Sequence, residues 1–116
     1  MAVAMFMTLT GASPEQYDRL IASLDLDASP AIGQVLHLAA ESPDGLEVCE
    51  IWQTREAAEA FVDEHLWPRL AELRIGAEIQ FRVLQLHNLF APDMDTIERI
   101  GAVSLPAASA GSILRY

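Results

Sequence analysis

The stretch LEVCEIWQTREAAEAFVDEHLWPRLAEL, from Leu46 to Leu73, decides the predicted fold. Its first seven residues, 46–52, have the length and apolar content of a strand. Thr54 is a helix-capping residue, and Glu56 lies in the first turn, where the helix dipole favours a negative charge. Apolar residues then recur every three or four positions, so we predict a helix that lies on a sheet, with a kink at Pro68.

A strand, a helix and a second strand precede this stretch. Residues 2–10 are apolar on both faces, which is typical of a buried strand. The segment 13–16, Ser-Pro-Glu-Gln, has the residues of a capping box with proline at the first helical position. Residues 33–40 form the second predicted strand, and the turn sequence Ser-Pro-Asp-Gly at 42–45 joins it as a hairpin to the strand that follows.

The C-terminal part supplies one more strand. The helix is expected to end at Gly76, and residues 77–90 predict a long final strand that stops before Pro92. Residues 93–100 are sufficient for one or two helical turns. We therefore divide the chain into a domain at residues 1–90 and a C-terminal extension at 91–116, which is either disordered or packed on a partner subunit.

The element order predicts an α+β fold. Strands and helices alternate as β-α-β-β-α-β, a ferredoxin-like unit with an antiparallel sheet and both helices on one face. The strands carry apolar residues on both faces, so the second face also needs a cover. A second copy packed sheet against sheet is the simplest cover, and we expect a homodimer.

Composition limits the classes of function. The 116 residues suit one domain, and 52% of them are hydrophobic. The net charge of −10 and the absence of lysine argue against nucleic-acid binding and exclude lysine chemistry. Cys49 is the only cysteine, so we expect a reducing compartment and a cytoplasmic protein. No apolar run reaches the length of a membrane span, and the first ten residues lack the basic start of a signal peptide.

Several short segments resemble a known family. They are Glu50-Ile51-Trp52-Gln53-Thr54-Arg55-Glu56-Ala57, Ala60-Phe61, His65-Leu66-Trp67-Pro68 and, near the end of the closing strand, His87-Asn88. Over residues 2–90 the chain resembles the dimeric α+β barrel superfamily, and within it the antibiotic-biosynthesis-monooxygenase-like (ABM-type) domains. The resemblance implies a homodimer with an eight-stranded barrel between subunits and a pocket in each subunit. The superfamily includes cofactor-free oxygenases, isomerases, cyclases, haem enzymes and proteins of no known activity.

Two histidines are the candidate catalytic residues. His37 and His87 each lie among apolar residues of a predicted strand, and histidine is the usual acid or base near neutral pH. The alternative for each is a hydrogen-bonded histidine at a strand end. The expected strand order places the two strands at opposite edges of the sheet, so the sequence does not bring these histidines together.

Six further residues are candidates for substrate binding. Trp52 and Trp67 could stack on a flat substrate or pack between sheet and helix. Tyr17 could orient a substrate oxygen, or its hydroxyl could simply reach solvent. Glu50 is either buried, where its pKa would rise and suit a base, or a solvated carboxylate at the edge of the sheet. His65 lies on the apolar stripe of the helix, where core packing is the alternative. The candidate substrate-binding residues are therefore Trp52, His65, Trp67, Tyr17, Glu50 and Asn88.

No metal or cofactor is expected. The three histidines lie on three different elements without HxH or HExxH spacing. Neither GxSxG nor GxGxxG occurs, so no serine nucleophile or dinucleotide site is indicated.

The function expected from these observations is a small cofactor-independent enzyme of secondary metabolism. It would act on an aromatic or polyketide-like molecule as a monooxygenase, cyclase or isomerase, with a histidine as acid or base in an apolar pocket. The alternatives are a non-catalytic small-molecule binder and a structural dimer.

Overall fold

A computed structural model describes residues 1–25 and 31–103 of the chain, and the chain order of its elements is the predicted one. The elements are β1 (Val3–Thr10), α1 (Pro14–Leu24), β2 (Gln34–Ser42), β3 (Gly45–Trp52), α2 (Arg55–Phe61), a π-helical turn (Val62–Leu66), α3 (Trp67–Leu73), β4 (Glu78–Gln85) and α4 (Met94–Val103). The predicted second helix is thus divided in two by the π-helical turn. Most of the predicted loop at 25–33 lies outside the described residues.

The four strands form one antiparallel sheet in the order β2-β3-β1-β4. Met5 of β1 stands opposite Glu50 of β3 on one side and Val83 of β4 on the other, which fixes the register of these three strands. The α+β ferredoxin-like fold predicted from the sequence is confirmed. The second and fourth strands, β2 and β4, are the edges of the sheet, as expected.

The hydrophobic core lies between one face of the sheet and the helices. Alternate residues of β1 and β3 are buried on this face, as the two-residue period of a strand requires. Its main members are Met5, Met7, Leu9, Leu20, Leu24, Leu46, Val48, Trp52, Leu66 and Leu70. Burying this apolar area is the main term that holds the helices on the sheet.

The start of α1 is fixed by the predicted capping box. The backbone N–H of Gln16 donates to the Ser13 hydroxyl over 3.1 Å, and the Gln16 side chain accepts from the Ser13 backbone N–H over 2.9 Å. Both bonds satisfy backbone donors that a helix start leaves unpaired. The cap thereby sets the rotation of α1, and with it the position of Tyr17 one residue later.

The kink predicted at Pro68 takes the form of a π-helical turn. Proline has no N–H to donate and crowds the carbonyl four residues earlier. The backbone hydrogen bond here spans five residues instead of four, because the N–H of Trp67 donates to the carbonyl of Val62. The helix then ends at Leu73 instead of Gly76, because Arg74 adopts the left-handed conformation with a φ of 55°.

The predicted end of the final strand was wrong. β4 stops at Gln85, and the last backbone bond to β1 runs from the N–H of Leu86 to the carbonyl of Ala2. The neighbouring strand β1 begins at Val3, opposite Gln85, so β4 has no partner to pair with further on. Residues 87–95 are all exposed, and the predicted strand over residues 86–90 does not form.

The extension forms a longer helix than predicted. Asp93 caps α4 by accepting from the backbone N–H of Thr96 over 3.0 Å, and the helix runs for ten residues. Residues 104–116 lie outside the described residues, so the domain boundary at 90 and the docking of the extension stay predictions. No helix of the described residues is long and apolar enough to cross a membrane.

Candidate functional site

Four side chains from α1, β2 and β3 form one chain of hydrogen bonds. The Tyr17 hydroxyl lies 2.5 Å from His37 Nε2, and His37 Nδ1 lies 2.6 Å from Glu50 Oε2. The other carboxylate oxygen, Glu50 Oε1, accepts from the indole N–H of Trp52 over 3.0 Å. We refer to Tyr17, His37, Glu50 and Trp52 as the polar network.

Strand register brings the polar network together. His37 of β2 stands directly opposite Glu50 of β3, and their side chains point to the helix side of the sheet. Trp52 is two residues beyond Glu50, so it shares this face. Tyr17 lies on the inward stripe of α1, and its ring stacks on the His37 ring with centroids 5.9 Å apart.

The hydrogen bonds define which groups donate. Glu50 is 3% exposed and, as a carboxylate, it offers only acceptors. His37 therefore donates its Nδ1 proton to Glu50, and in the neutral imidazole Nε2 is then the acceptor for the Tyr17 hydroxyl. In the neutral ring, Glu50 thus sets the tautomer of His37, and the lone pair of Nε2 points at the Tyr17 hydroxyl.

A small cavity adjoins the network between the sheet and the helices. Its volume is about 30 Å³, room for about two water molecules. Its wall is mostly apolar, and its polar members are Tyr17, Gln34, His37 and Glu50. The arrangement is that of a small apolar pocket with an acid–base group at one end.

Gln34 is a wall residue that sequence reasoning missed. Gln34 and His37 are three positions apart, so a regular strand would place them on opposite faces. A register shift between Gln34 and Leu36 leaves Val35 as a bulge, and Gln34 pairs with Trp52 on the helix side. A bulge of this kind has no clear sequence signal apart from the preceding Gly33, which has a φ of 89°.

The structure does not bring the other predicted residues to the polar network. His65 is exposed and packs on Phe61 with ring centroids 5.4 Å apart. Trp67 is 45% exposed and meets Phe81 edge to face. His87 and Asn88 follow the end of β4 and are exposed, so their catalytic and binding roles stay predictions without support from geometry.

Trp52 occupies the core and not the wall of the cavity. Its side chain is 0% exposed and its ring packs against Phe61 with centroids 5.3 Å apart. In this position the indole holds Glu50 through its N–H instead of presenting a ring face to a ligand.

Among residues 1–25 and 31–103, no group of three or more histidine, cysteine, aspartate or glutamate side chains is placed to hold a metal ion. Cys49 lies on the opposite face of the sheet from the polar network, next to Glu50 in sequence. Burial, with the Glu50 carboxylate as the smaller cause, raises the pKa of the Cys49 thiol.

Solved structures with the same fold include proteins of several kinds, whereas no family model and no curated protein sequence matches the chain. A protein of unknown function from Nitrosomonas europaea has a TM-score of 0.59 at 17% identity, over 79% of this chain and 95% of that one. SnoaB, a cofactor-independent oxygenase from Streptomyces nogalater, has a TM-score of 0.53 at 14% identity, over 79% and 96%. A Chloroflexus aurantiacus protein, provisionally assigned as an antibiotic biosynthesis monooxygenase, has a TM-score of 0.53 at 20% identity, over 78% and 99%.

These matches define the class of protein by fold. The chain has the fold of SnoaB and of the protein provisionally assigned as an antibiotic biosynthesis monooxygenase, and the resemblance predicted from the sequence is confirmed at the level of the fold. At identities of 14–20% the likeness concerns the fold alone.

Proposed function

We propose that the chain is a small cofactor-independent enzyme that acts on an aromatic or polyketide-like molecule. The observation that carries this proposal is the polar network, in which His37 bonds to Tyr17 on one side and to buried Glu50 on the other. A histidine oriented by a carboxylate is a common general acid–base device. The cofactor-independent oxygenase SnoaB, which shares the fold, lends support to this class of activity.

The chemistry proposed for the network is proton transfer. A substrate hydroxyl or an acidic C–H gives its proton to the Tyr17 oxygen as the Tyr17 proton passes to His37 Nε2. The imidazolium formed keeps its Nδ1–H bond to Glu50, whose negative charge stabilises it. The resulting substrate anion can then react with oxygen, cyclise or be reprotonated elsewhere, which correspond to the monooxygenase, cyclase and isomerase forms of the proposal.

A second candidate function is a non-catalytic dimer that binds small molecules or is purely structural. The observation that favours the structural form is the cavity volume of about 30 Å³, because ligand pockets usually measure about 300–1,000 Å³. In this alternative the polar network is a satisfied set of buried hydrogen bonds. For the enzyme, the same volume means that only the reacting group of a substrate enters the cavity in the described conformation.

The proposal includes a homodimer formed through the open face of the sheet, the face away from the helices. This face carries Leu38 and Leu84, which are 48% and 49% exposed, beside the charged residues Glu47 and Arg82. An apolar centre with charges of both signs is suited to a second copy of the same surface.

Turnover by histidine variants tests the enzyme. After a substrate is found by oxygen uptake and product analysis on hydroxylated naphthalenes and anthraquinones, His37→Gln should lower kcat by roughly 100-fold or more, with a smaller change in Kd. His87→Gln is the matched control, because His87 is exposed and outside the network. An unchanged kcat in His37→Gln would contradict the assignment of His37 as the acid–base residue. Separately, a native mass spectrum of the purified protein would show whether it is a dimer or a monomer.

A further inference from the structure

The polar network has the order of groups that activates a hydroxyl as a nucleophile. A hydroxyl, an imidazole and a carboxylate follow one another over 2.5 Å and 2.6 Å, and Trp52 fixes the far oxygen of the carboxylate. A base within hydrogen-bond reach of a hydroxyl, itself oriented by a third group, is the structural mark of covalent catalysis. Serine hydrolases use this order of groups on unrelated folds.

We infer that Tyr17 is a nucleophile, and that the cavity beside it takes the acyl group of a short carboxylic ester. This activity goes beyond the acid–base function proposed above and does not depend on the aromatic substrate class. It does require the same three groups in the same protonation states. Glu50 and Trp52 act as positioning residues, because neither needs to touch the ester.

The cavity limits the size of the acyl group. The cavity of about 30 Å³ has room for about two water molecules, so a two-carbon acyl group is the largest that we expect it to take, and long chains are excluded. Among the described residues of the wall, Gln34 is the only polar one outside the network. Its carboxamide N–H is the donor available to the oxygen of the ester carbonyl, where negative charge develops during attack.

The reaction balances without a further reactant besides water. The Tyr17 oxygen bonds to the carbonyl carbon of the ester, and the Tyr17 proton passes to His37 Nε2. The bond between the carbonyl carbon and the alcohol oxygen of the ester then breaks. His37 Nε2 gives its proton to this alcohol oxygen, so the alcohol leaves. Water, deprotonated by Nε2, next attacks the acyl-tyrosine. The bond to Tyr17 breaks and its oxygen regains a proton, so ester and water give acid and alcohol.

The test uses 4-nitrophenyl acetate and the full chain. The chain has no lysine, so the usual side-chain acceptor of unspecific acetylation is absent, and the remaining side-chain nucleophiles are the three histidines, Cys49 and the hydroxyl groups. We expect release of 4-nitrophenol in a burst of about one equivalent, as acyl-enzyme accumulates. Peptide mapping should place the acetyl group on Tyr17, and Tyr116, the only other tyrosine of the sequence, serves as the internal comparison.

Two variants test whether Tyr17 reacts because His37 activates its hydroxyl or only because the hydroxyl is accessible to the ester. Tyr17→Phe keeps the ring that stacks on His37 and removes the hydroxyl, so the burst should disappear. His37→Gln keeps the hydroxyl and removes the base, so acetylation of Tyr17 should slow by roughly 100-fold. Circular dichroism and thermal unfolding of both variants establish that the fold is retained.

Three results would overturn the inference. They are a burst that persists in Tyr17→Phe, equal acetylation of Tyr17 in His37→Gln, and an acetyl group that is spread equally over Tyr17 and Tyr116. The size limit has its own measurement, since 4-nitrophenyl hexanoate should label Tyr17 far more slowly than the acetate, and equal rates would contradict the cavity as the acyl site. Acetylation is measured without the substrate of the proposed enzyme, so its failure leaves the acid–base proposal standing, and the failure of that proposal leaves acetylation standing.

Discussion

Trp52 and Glu50 form a hydrogen-bonded pair on one face of β3, in which the indole N–H donates to Oε1 over 3.0 Å. The two residues are 0% and 3% exposed, so neither group has access to bulk water. A buried carboxylate needs a donor on each oxygen, and here Trp52 and His37 supply one each. The pair therefore fixes the carboxylate that sets the tautomer of His37.

Trp52→Phe removes the indole N–H and keeps most of the apolar ring. Glu50 Oε1 then lacks its donor, and we expect the free energy of unfolding to fall by about 1–3 kcal/mol. Trp67→Phe is the matched control, because Trp67 is 45% exposed and a surface substitution costs about 0.5 kcal/mol or less. Urea unfolding measures the free energy of unfolding of both variants. Equal decreases would show that the indole hydrogen bond does not contribute measurably to stability.

Glu50→Gln should reverse the tautomer of His37. The glutamine oxygen accepts from Trp52, so its NH₂ group faces His37 and donates to Nδ1. Nε2 must then carry the proton, and it can no longer accept from Tyr17. We expect turnover, once a substrate is known, to fall by roughly 100-fold or more, as for other oriented histidine bases.

Nitrogen-15 NMR of the histidine rings reads the tautomer directly, with His37→Gln to assign the signal. Glu47→Gln is the control on the same strand, because its side chain lies on the open face. It should leave the His37 signals unchanged. An Nδ1-protonated ring in Glu50→Gln would mean that Glu50 does not set the tautomer.

Much of the fold could be predicted because its signals are local. The capping box at Ser13 and Gln16, the turn at residues 42–45 and the proline at 68 each act within a few residues, and each has its predicted consequence. The length of β4 could not be predicted in this way. It depends on where β1 begins, a contact more than 80 residues away in the chain. Leu86, Leu89 and Phe90 are apolar, so residues 86–90 resemble a strand in sequence although β1 offers them no partner.

The sequence allowed the individual residues of the candidate site to be predicted, but not the contacts between them. The sequence marks His37, Glu50, Trp52 and Tyr17 one by one, because each is polar or aromatic on an otherwise apolar face. Their contacts follow from the β2–β3 register, which places His37 opposite Glu50. No local pattern indicates the bulge at Val35, so the sequence could not show that Gln34 shares the face of His37.

Gly45 is required at the turn between β2 and β3. Its φ is 153°, and a Cβ at this position would lie 2.1 Å from the Leu9 carbonyl oxygen. Gly45→Ala should therefore lower the free energy of unfolding by about 1–3 kcal/mol or more, through backbone strain and displacement of β1.

Gly76→Ala provides the comparison for Gly45→Ala. Nothing lies within 4 Å of the Cβ position there, so the change should be neutral or slightly stabilising. Thermal unfolding compares the melting temperatures of the two variants. Equal melting temperatures would mean that the turn at Gly45 accommodates a Cβ without loss of stability.

Cys49 should make stability depend on alkaline pH. Burial first, and the Glu50 carboxylate second, raise the pKa of the Cys49 thiol. A thiol with a raised pKa in the folded state contributes stability at pH values below its unfolded pKa of about 8.5. This contribution is lost as the pH rises through the higher pKa of the folded state.

Cys49→Ala should therefore flatten the decline of unfolding free energy above about pH 8.5 without changing its course at lower pH. Urea unfolding at neutral and alkaline pH measures the difference. Alkylation of wild-type protein by iodoacetamide should show a midpoint above that of a free thiol. A midpoint at or below the free-thiol value would contradict the raised pKa.

Glu47 and Arg82 should pair between the two copies of the proposed dimer. Both are exposed on the open face, on the two strands that flank β1, where Glu47 accepts from the Thr8 hydroxyl and Arg82 lies over the Phe6 ring. In the proposed dimer we expect the two-fold axis to pass through this face and to bring Glu47 of one copy toward Arg82 of the other. Arg82→Glu should weaken the dimer by roughly tenfold or more, since like charges then oppose each other.

The double variant, with Glu47→Arg added to Arg82→Glu, restores opposite charges in exchanged positions and should recover most of the lost affinity. Arg69→Glu is the charge-matched control, because Arg69 pairs with Glu72 on α3, on the helix side of the sheet. Sedimentation velocity over a range of concentrations gives the dimer Kd for each variant. If Arg69→Glu weakens the dimer as much as Arg82→Glu, the effect is one of net charge and the two copies do not meet through the open face.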